Sequence, residues 1–594
     1  MSFQGPIKIS PRLQEQAERA REINEANKTV EPISGPRSVA LPPDYTEERF
    51  YAAAATLRKL IGNENVDIVD QPLNDGWYLQ HPKTHDAFQV LDQDDFVASC
   101  VARPRHTEDV QAIVRWANEY LIPLWPISIG RNLGYGGAGP RVRGSVVIDM
   151  GHHMNRILEV NEREASCLVE PGVTYYNLYD CLQAQGSSLW IDTPDLPGGS
   201  VMGNALDRGV GYTPYGDHWG KHCGLEVVLP DGSLMRTGMG AVDGANTWQS
   251  FQHGFGPSVD GLFSQANNGI VTKMGMWLMP SPKSMQAYQI SFKREEDLGA
   301  VCEALRPLMV RGVLGNVPSL RHVLQEAALH GNQRTYYKGP GPIDEETTEK
   351  IAERFGGYWF LYGCLYSDED SCDHLVDVVR DAFTHIPGSA FYKSDDTPED
   401  SYIRTRIQIF SGQPNLRELG WVNWVPDGAH LFFAPISPIT AKDAEKQFKM
   451  VKERHRQYGF DCFSTFCVGP REMHHICCII YNKADPKHKW GAYRMLRDMI
   501  RDAGKEGYGE YRTHISCFDE VMKVYGWNNN AFLKFNETIK DALDPNSIIA
   551  PGKSGIWGRR FRGKGWELWG DETRSVPAER DGSLSRRINI EERL

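Results

Sequence analysis

The segment 123–150 has the residue pattern best suited to chemistry. It reads PLWPISIGRNLGYGGAGPRVRGSVVIDM, with five glycines between positions 130 and 139. Gly134, Gly136 and Gly139 fit GxGxxG, but a dinucleotide loop of that type opens a helix, whereas Pro140 and a Val/Ile run follow here. A strand–loop–strand unit with many backbone N–H groups can hold a pyrophosphate without a helix. A tight hairpin is the alternative interpretation.

A second glycine-rich stretch covers residues 194–241, where glycines and small polar residues stand beside strand-like runs. This composition suits a backbone that wraps closely around a large planar ligand. The cysteine- and histidine-rich stretch 467–478 invites a metal interpretation, but residues adjacent in a strand point to opposite faces. Only His475 and Cys477 would share a face, and no second ligand pair has zinc-like spacing, so we expect no metal site.

These segments lie within a regular succession of elements. Helices are expected at 11–27, after Thr46 and after Thr107, and residues 123–280 read mainly as short Val/Ile strands. From 286 to about 500, strand-like runs alternate with helical ones, and Pro280-Ser281-Pro282 marks the change. Residues 508–557 return to a Gly-rich, aromatic composition. The sequence therefore predicts a first domain of strands and loops, then a second domain of sheet plus helices.

Composition excludes several classes of function. The 594 residues carry 65 basic and 77 acidic side chains, a net charge of −12, without a Lys/Arg stripe, which argues against nucleic-acid binding. The mean hydropathy is −0.46, and no apolar run could span a bilayer. The start MSFQGPIKIS lacks a signal-peptide core and 12 cysteines are sparse, so an intracellular protein, cytoplasmic or peroxisomal, with reduced thiols is expected.

Longer stretches of the chain, from about residue 90 to 557, resemble the vanillyl-alcohol oxidase/eugenol oxidase family of flavoproteins, which share the p-cresol methylhydroxylase-type fold. The resemblance rests on PISIGRNLGYGGAGPR, PDLPGGS to RTGMGA, GPSVDGLFSQANNGIVTKMG, PDGAHLFFAP, REMHHI, GEYRTH and PNSIIAPGKSGIW. It implies an α+β fold with an FAD-binding domain and a cap domain of antiparallel sheet with helices. The implied boundaries are an arm and linker at 1–45, the FAD-binding domain at 46–280, the cap at 281–507 and a returning C-terminal segment at 508–594.

The resemblance also assigns cofactor residues. The candidates for holding FAD are Ser128, Gly130, Arg131, Asn132, Gly134 and Lys553. His430, in GAHLFF, matches a cap-domain histidine that binds the flavin covalently in many relatives, and imidazole is a competent nucleophile for that bond. One departure is Phe88, which stands where some relatives have a histidine that helps to activate the linking residue.

For the substrate, the resemblance implies two tyrosines and an arginine around a phenol oxygen, here Tyr135, Tyr511 and Arg512. A guanidinium and two phenolic O–H donors favour phenolate over phenol. Asp195 matches a carboxylate near the flavin that can act as a base, with a turn aspartate after Pro194 as the structural alternative. The expected pocket-lining residues are Trp421, Phe432, Thr465 and Ile476.

The implied function is an FAD-dependent oxidase of para-substituted phenols that returns electrons to O2 as H2O2. Its substrates would be 4-hydroxybenzyl alcohols, such as vanillyl alcohol, and 4-alkyl- or 4-allylphenols. One alternative is a dehydrogenase of 4-alkylphenols that passes electrons to a cytochrome. Another is a flavin-binding scaffold without chemistry, which the joint presence of Tyr135, Asp195, Tyr511 and Arg512 argues against. A homodimer is the unit that the resemblance implies.

Overall fold

The computed structural model describes residues 38–70, 96–399 and 401–568. The helix expected at 11–27 and Phe88 lie outside these residues. The first described helix, α1 (Glu47–Ile61), begins where the sequence predicts. The Thr46 side chain accepts a hydrogen bond from the Arg49 backbone N–H, and Gly62 ends the helix at φ 99°.

A four-stranded mixed sheet in the order β1-β2-β4-β3 packs against α1 and α2. Strands β3 and β4 pair in parallel, so the glycine-rich loop between them is a crossover and the hairpin interpretation is wrong. Helix α2 is capped by His106, one residue before the expected Thr107. The elements are β1 (Val66–Ile68), β2 (Cys100–Ala102), α2 (Thr107–Tyr120), β3 (Leu124–Ile127) and β4 (Val146–Asp149).

A five-stranded antiparallel sheet follows, in the order β5-β6-β10-β8-β9, beside a two-stranded pair, β7 and β11. Its apolar face packs on α3 and α4. The elements are β5 (Ile157–Asn161), β6 (Ser166–Val169), α3 (Tyr175–Ala184), β7 (Leu189–Trp190), α4 (Val201–Leu206), β8 (His222–Val228), β9 (Leu234–Arg236), β10 (Ile270–Trp277) and β11 (Met279–Pro280).

The segment 284–482 forms one eight-stranded antiparallel sheet in the order β15-β12-β14-β13-β18-β19-β16, with β17 also paired to β19. Helices α5, α11 and α12 contribute to the apolar core on one of its faces, and α6 and α10 to a second core. The strands are β12 (Ser284–Phe292), β13 (Ser319–His322), β14 (Trp359–Ser367), β15 (Ala390–Lys393), β16 (Gly428–Phe433), β17 (Ile436–Pro438), β18 (Phe463–Val468) and β19 (Glu472–Asn482). The helices are α5 (Leu298–Val310), α6 (Val323–His330), α7 (Gln333–Tyr336), α8 (Glu345–Phe355), α9 (Asp373–Phe383), α10 (Tyr402–Phe410), α11 (Ala441–Tyr458) and α12 (Pro486–Lys505).

The C-terminal part contains two helices, α13 (Phe518–Val524) and α14 (Trp527–Leu543), where composition alone predicts only glycine-rich, aromatic chain. It then returns to the first sheet, where Leu124 accepts a backbone hydrogen bond from Ala550 and donates one to Ile548. Residues 548–550 are thereby fixed beside the strand that leads into the glycine-rich loop.

Candidate active site

One cavity of about 710 Å³ collects residues from every part of the fold. The glycine-rich loop, the 194–212 segment, the eight-stranded sheet and the C-terminal segment all contribute to its wall. All four residues expected as pocket lining do line it. They are Trp421, Phe432, Thr465 and Ile476.

Strand register explains why those residues meet. Thr465 on β18 pairs with Ile476 on β19, and Phe432 on β16 pairs with Cys478, two residues further along β19. Residues two apart in a strand share a face, so the three side chains point the same way. Trp421 packs edge-to-face on Phe432, with 6.4 Å between ring centroids.

An aromatic and cationic cluster forms one part of the cavity wall. Tyr135 stacks on Phe432 at 5.2 Å, and the Arg512 guanidinium lies over the Tyr135 ring at 4.5 Å and 5.4 Å from the Tyr511 ring. The Tyr135 carbonyl accepts a hydrogen bond from the Ile515 backbone N–H. The glycine-rich loop and the C-terminal segment are therefore tied together at the residues that carry these side chains.

Burial raises the pKa of both tyrosines above the usual value, and the nearby Arg512 opposes that shift without reversing it. Tyr135 and Tyr511 therefore keep their hydroxyl protons at neutral pH. The cluster offers two O–H donors and one permanent cation, which is a binding site for an oxyanion.

Asp195 lies in a second part of the cavity wall. Its Oδ2 accepts a hydrogen bond from the Tyr212 hydroxyl and its Oδ1 one from Nη1 of Arg406. The same Nη1 lies 3.2 Å from Oε1 of Glu418. Asp195 is thus a paired carboxylate in the cavity wall, held by two side-chain donors.

The ionic contacts continue away from the cavity, through what we call the Asp195 cluster: Asp195, Arg406, Glu418, Arg321 and Glu326. Arg321 pairs with Glu418 and, 3.0 Å from its Nε, with Glu326. Three carboxyl groups therefore share two guanidinium groups. Burial raises the pKa of Glu418 well above its usual range, and the neighbouring Asp195 carboxylate adds to this shift despite the attraction of Arg321.

Glu510 is a further buried carboxyl group in the cavity wall. Its Oε1 accepts a hydrogen bond of 3.1 Å from the Ala434 backbone N–H. Burial raises the pKa of Glu510 to about 8, and the hydrogen bonds from Ala434 and Thr513 only partly offset that shift. Glu510 is therefore mostly neutral at pH 7.

The expected cofactor residues divide into two groups. Ser128, Gly130, Arg131, Asn132 and Lys553 line the cavity, and Lys553 pairs with Asp207 at 3.0 Å. Gly134 and His430 do not line it. They adjoin each other instead, because a Cβ on Gly134 would lie 2.9 Å from Nε2 of the fully buried His430.

The loop fits a large anionic cofactor. Burial lowers the pKa of Arg131 despite the attraction of Asp149, so an anion bound beside this guanidinium would stabilise its charge. Residues 128–133 all line the same cavity. A dinucleotide pyrophosphate has the charge and the acceptor oxygens that such a wall recognises.

The histidine- and cysteine-rich strand has a structural explanation. The His475 ring stacks on Phe466 at 4.1 Å and its Nε2 lies 2.6 Å from the Ser464 hydroxyl oxygen. Burial lowers the pKa of His475 to about 3. Within the described ranges, no group of three or more His, Cys, Asp or Glu side chains is placed to hold a metal ion. No helix among those residues is long and apolar enough to cross a membrane.

Sequence reasoning missed part of the site: Tyr212, Arg321, Arg406, Glu418 and Glu510. Arg406 has a usable signal, because it lies on the buried face of the otherwise largely apolar helix α10. Charged residues in such positions are rarely buried without a partner. Their partners, however, lie on other elements and leave no local pattern.

Comparison with known proteins agrees with this geometry. A family model described as an FAD binding domain matches residues 98–238. The flavoprotein subunit of 4-cresol dehydrogenase (hydroxylating) from Pseudomonas putida is 36% identical over 528 residues, which is 88% of this chain and 99% of that protein.

The chain belongs to the p-cresol methylhydroxylase/vanillyl-alcohol oxidase family. Two solved structures extend the comparison. The 4-ethylphenol oxidase from Gulosibacter chungangensis is 41% identical with a TM-score of 0.83, covering 88% of this chain and 100% of that one. A p-cresol methylhydroxylase with bound substrate is 35% identical with a TM-score of 0.82, covering 87% and 99%.

Membership of this family confirms three expectations. The fold is the two-domain α+β flavoprotein fold, with an FAD-binding domain and a cap domain. The cofactor is FAD. The protein is a flavin-dependent oxidoreductase of the p-cresol methylhydroxylase/vanillyl-alcohol oxidase family.

Proposed function

We propose that this enzyme oxidises para-substituted phenols at the benzylic carbon and returns the electrons to O2 as H2O2. The observation that carries the proposal is the Tyr135–Tyr511–Arg512 cluster, which lines the same cavity as Asp195. The relatives support the substrate class, since their names refer to 4-cresol, 4-ethylphenol and p-cresol. Suitable substrates are 4-hydroxybenzyl alcohols, such as vanillyl alcohol, and 4-alkyl- or 4-allylphenols.

In this proposal Arg512 and the two tyrosine hydroxyls bind the substrate oxygen as phenolate. A guanidinium beside the oxygen lowers the pKa of the bound phenol, and each O–H donor stabilises the anion further. The negative charge then pushes electrons through the ring towards the para carbon. Bound FAD supplies the acceptor for the hydride that leaves this carbon.

Asp195 is proposed to act as a base beside the flavin and to tune the flavin itself, so its loss would affect flavin reduction as well as the later proton transfer. Its carboxylate can take a proton from a benzylic alcohol, or from water that adds to a quinone methide. Tyr212 and Arg406 hold it in one orientation. Asp195→Ala should therefore slow flavin reduction by orders of magnitude while FAD stays bound. Normal turnover in this variant would refute the role of Asp195.

We also propose which residues bind FAD. Ser128, Gly130, Arg131, Asn132 and Gly134 would hold the pyrophosphate, with Lys553 nearby, and His430 would carry a covalent bond to the flavin. A tryptic peptide containing His430 should then be heavier by one flavin. An unmodified peptide from flavin-replete protein would exclude the bond, and Phe88 would be the suspected reason.

The electron acceptor is identified by measuring O2 uptake and H2O2 release. Purified enzyme with vanillyl alcohol should consume O2 and release an equal amount of H2O2. The alternative function is a dehydrogenase. It is supported by the similarity of this chain to the flavoprotein subunit of 4-cresol dehydrogenase. In that case O2 uptake would be negligible, and a cytochrome would have to be added before the substrate is consumed.

We also propose the domain boundaries 1–45, 46–280, 281–507 and 508–594 for the arm, FAD-binding domain, cap and returning segment, and a homodimer as the working unit. Light scattering of the purified holoenzyme should give twice the chain mass of 67.0 kDa. A mass equal to one chain would refute the dimer.

A further inference from the structure

A buried histidine–aspartate pair lies beside the cavity, in a place that the proposed reaction does not use. Oδ1 of Asp192 is 2.6 Å from Nε2 of His218. Both side chains are buried, at 3% and 1% exposure, and neither lines the cavity. A hydrogen-bonded polar pair held out of water and away from the substrate requires a structural or a positioning explanation.

The second oxygen of Asp192 gives the first indication. Its Oδ2 accepts a hydrogen bond of 2.7 Å from the backbone N–H of Thr213. Thr213 follows Tyr212, whose hydroxyl donates to Asp195. Asp192 itself precedes Asp195 by three residues. One carboxylate thus joins the two backbone segments that carry the proposed base and its hydrogen-bond donor.

The turn that carries Tyr212 is wound closely on this carboxylate. A Cβ on Gly211 would overlap Oδ1 of Asp192 and lie 2.6 Å from Nε2 of His218. The Gly211 N–H donates to the Gly216 carbonyl at 2.9 Å, which closes the turn. Glycine is required at position 211 because no side chain fits between the turn and the pair.

The other ring nitrogen of His218 extends the contacts to helix α4. Nδ1 lies 2.6 Å from Oδ1 of Asn204 and 3.1 Å from the Tyr175 hydroxyl oxygen. The Tyr175 hydroxyl donates to the same Asn204 oxygen at 3.0 Å. Both ring nitrogens of His218 therefore lie within hydrogen-bond distance of side-chain oxygens. The pair is fixed on both sides, by α4 and by the Tyr212 turn.

We propose that the Asp192–His218 pair is a positioning device that sets the Tyr212 hydroxyl against the carboxylate of Asp195. It acts through Tyr212 and touches no reacting atom. The inference rests on the proposed function only for its effect on rate, because the geometry can be checked without catalysis. Small displacements of a positioned group are costly, since a shift of about 1 Å can lower a rate by about 10²-fold.

A double-mutant cycle tests this role. Asp192→Asn and Tyr212→Phe should each slow anaerobic flavin reduction by 4-hydroxybenzyl alcohol at least about tenfold, with KM changed less than about threefold. If Asp192 acts through Tyr212, the double variant should be no slower than the slower single variant, within about threefold. Multiplicative losses in the double variant would overturn the proposal.

His222 provides the matched control. It lies four residues after His218, is also buried, and its Nε2 is 3.4 Å from an oxygen of Asp260. We expect His218→Gln and His222→Gln to lower Tm by similar amounts, but only His218→Gln should slow flavin reduction. Equal slowing in both variants would mean that the pair has a purely structural role.

A crystal structure of His218→Gln holoenzyme separates this inference from the proposed function. The expected result is a Tyr212 hydroxyl displaced from Asp195 while the rest of the cavity wall is retained. An unmoved Tyr212 would overturn the positioning role whether or not phenols are substrates. If the wild type is not reduced by any 4-hydroxybenzylic substrate, the proposed function fails, and a displaced Tyr212 would still support the inference. If His218→Gln does not fold, Asp192→Asn gives the same structural readout.

Discussion

Arg406 and Asp195, 211 positions apart in the sequence, form an ion pair in the wall of the cavity. Arg406 is 1% exposed and also lies 3.2 Å from Glu418. Its guanidinium stacks over the Tyr212 ring at 4.0 Å. One cation therefore contacts two carboxyl groups from distant segments and also stacks on the ring of Tyr212, whose hydroxyl donates to Asp195.

Removing that cation should destabilise the fold strongly. Arg406→Gln leaves Asp195 and Glu418 buried with less positive charge, and the expected loss is about 3–5 kcal/mol of unfolding free energy. Urea or guanidinium denaturation of the holoenzyme measures it. Arg404→Gln, on the same helix but partly exposed and paired with Asp395, is the control and should cost about 1 kcal/mol or less. Equal losses would contradict the charge balance described for the Asp195 cluster.

Glu510 predicts a pH dependence of stability. Its pKa is raised to about 8 in the folded protein, so the folded state holds a proton that the unfolded state releases above pH ~4.3. Stability is lost as pH rises from about 4.5 to about 8. Glu510→Gln should therefore gain stability relative to the wild type across this window, on the order of a few kcal/mol.

Denaturation at pH 5, 6, 7 and 8 measures the difference. Glu349→Gln, at an exposed site on α8, is the control, and its curve should run parallel to that of the wild type. A constant difference between Glu510→Gln and wild type over these pH values would show that Glu510 is ionised throughout.

The contact between Gly134 and His430 predicts a selective effect on flavin attachment. Gly134→Ala introduces a Cβ 2.9 Å from Nε2 of His430, and we expect it to lower the fraction of covalently bound flavin. Gly186→Ala has similar backbone strain, at φ 62° against 72° for Gly134, but its Cβ would meet no atom within 4 Å. Acid precipitation followed by absorbance of pellet and supernatant measures attachment. If the covalently bound fraction of flavin is the same in both variants, flavin attachment does not depend on the contact between Gly134 and His430.

Local chemistry predicted much of the fold. Thr46 and Gly62 delimit a helix as capping rules require, and the Val/Ile runs around 146 and 270 are strands. One glycine-rich region left two interpretations open. The loop after Ile127 allowed a hairpin because the glycines do not report strand direction, and parallel pairing of β3 and β4 depends on contacts elsewhere.

The site was predictable only where residues form contiguous patterns. Tyr135, Asp195, Tyr511 and Arg512 lie within segments that resemble a family, and all four line one cavity. Arg321 and Glu418 were not predictable, because their significance depends on an ion pair across 97 residues of chain. Such pairs are set by strand order and helix packing, which the sequence does not show locally.

Dependence on a phenolate is the central claim of the proposed function. A methyl ether in place of the para hydroxyl cannot ionise and leaves the Arg512 cation without an anionic partner. The expected penalty is roughly 2–5 kcal/mol. Arg512→Ala should impose a comparable loss on 4-hydroxybenzylic substrates, and Arg512→Lys should recover only part of it, because an ammonium lacks the planar fork.

The most direct test is the anaerobic rate of flavin reduction by 4-hydroxybenzyl alcohol and by 4-methoxybenzyl alcohol, measured by stopped-flow absorbance on one holoenzyme preparation. The proposed role of Tyr135, Tyr511 and Arg512 predicts that the 4-hydroxy compound reduces the flavin at least about 30-fold faster, the rate equivalent of about 2 kcal/mol. Comparable rates for the two alcohols would contradict it.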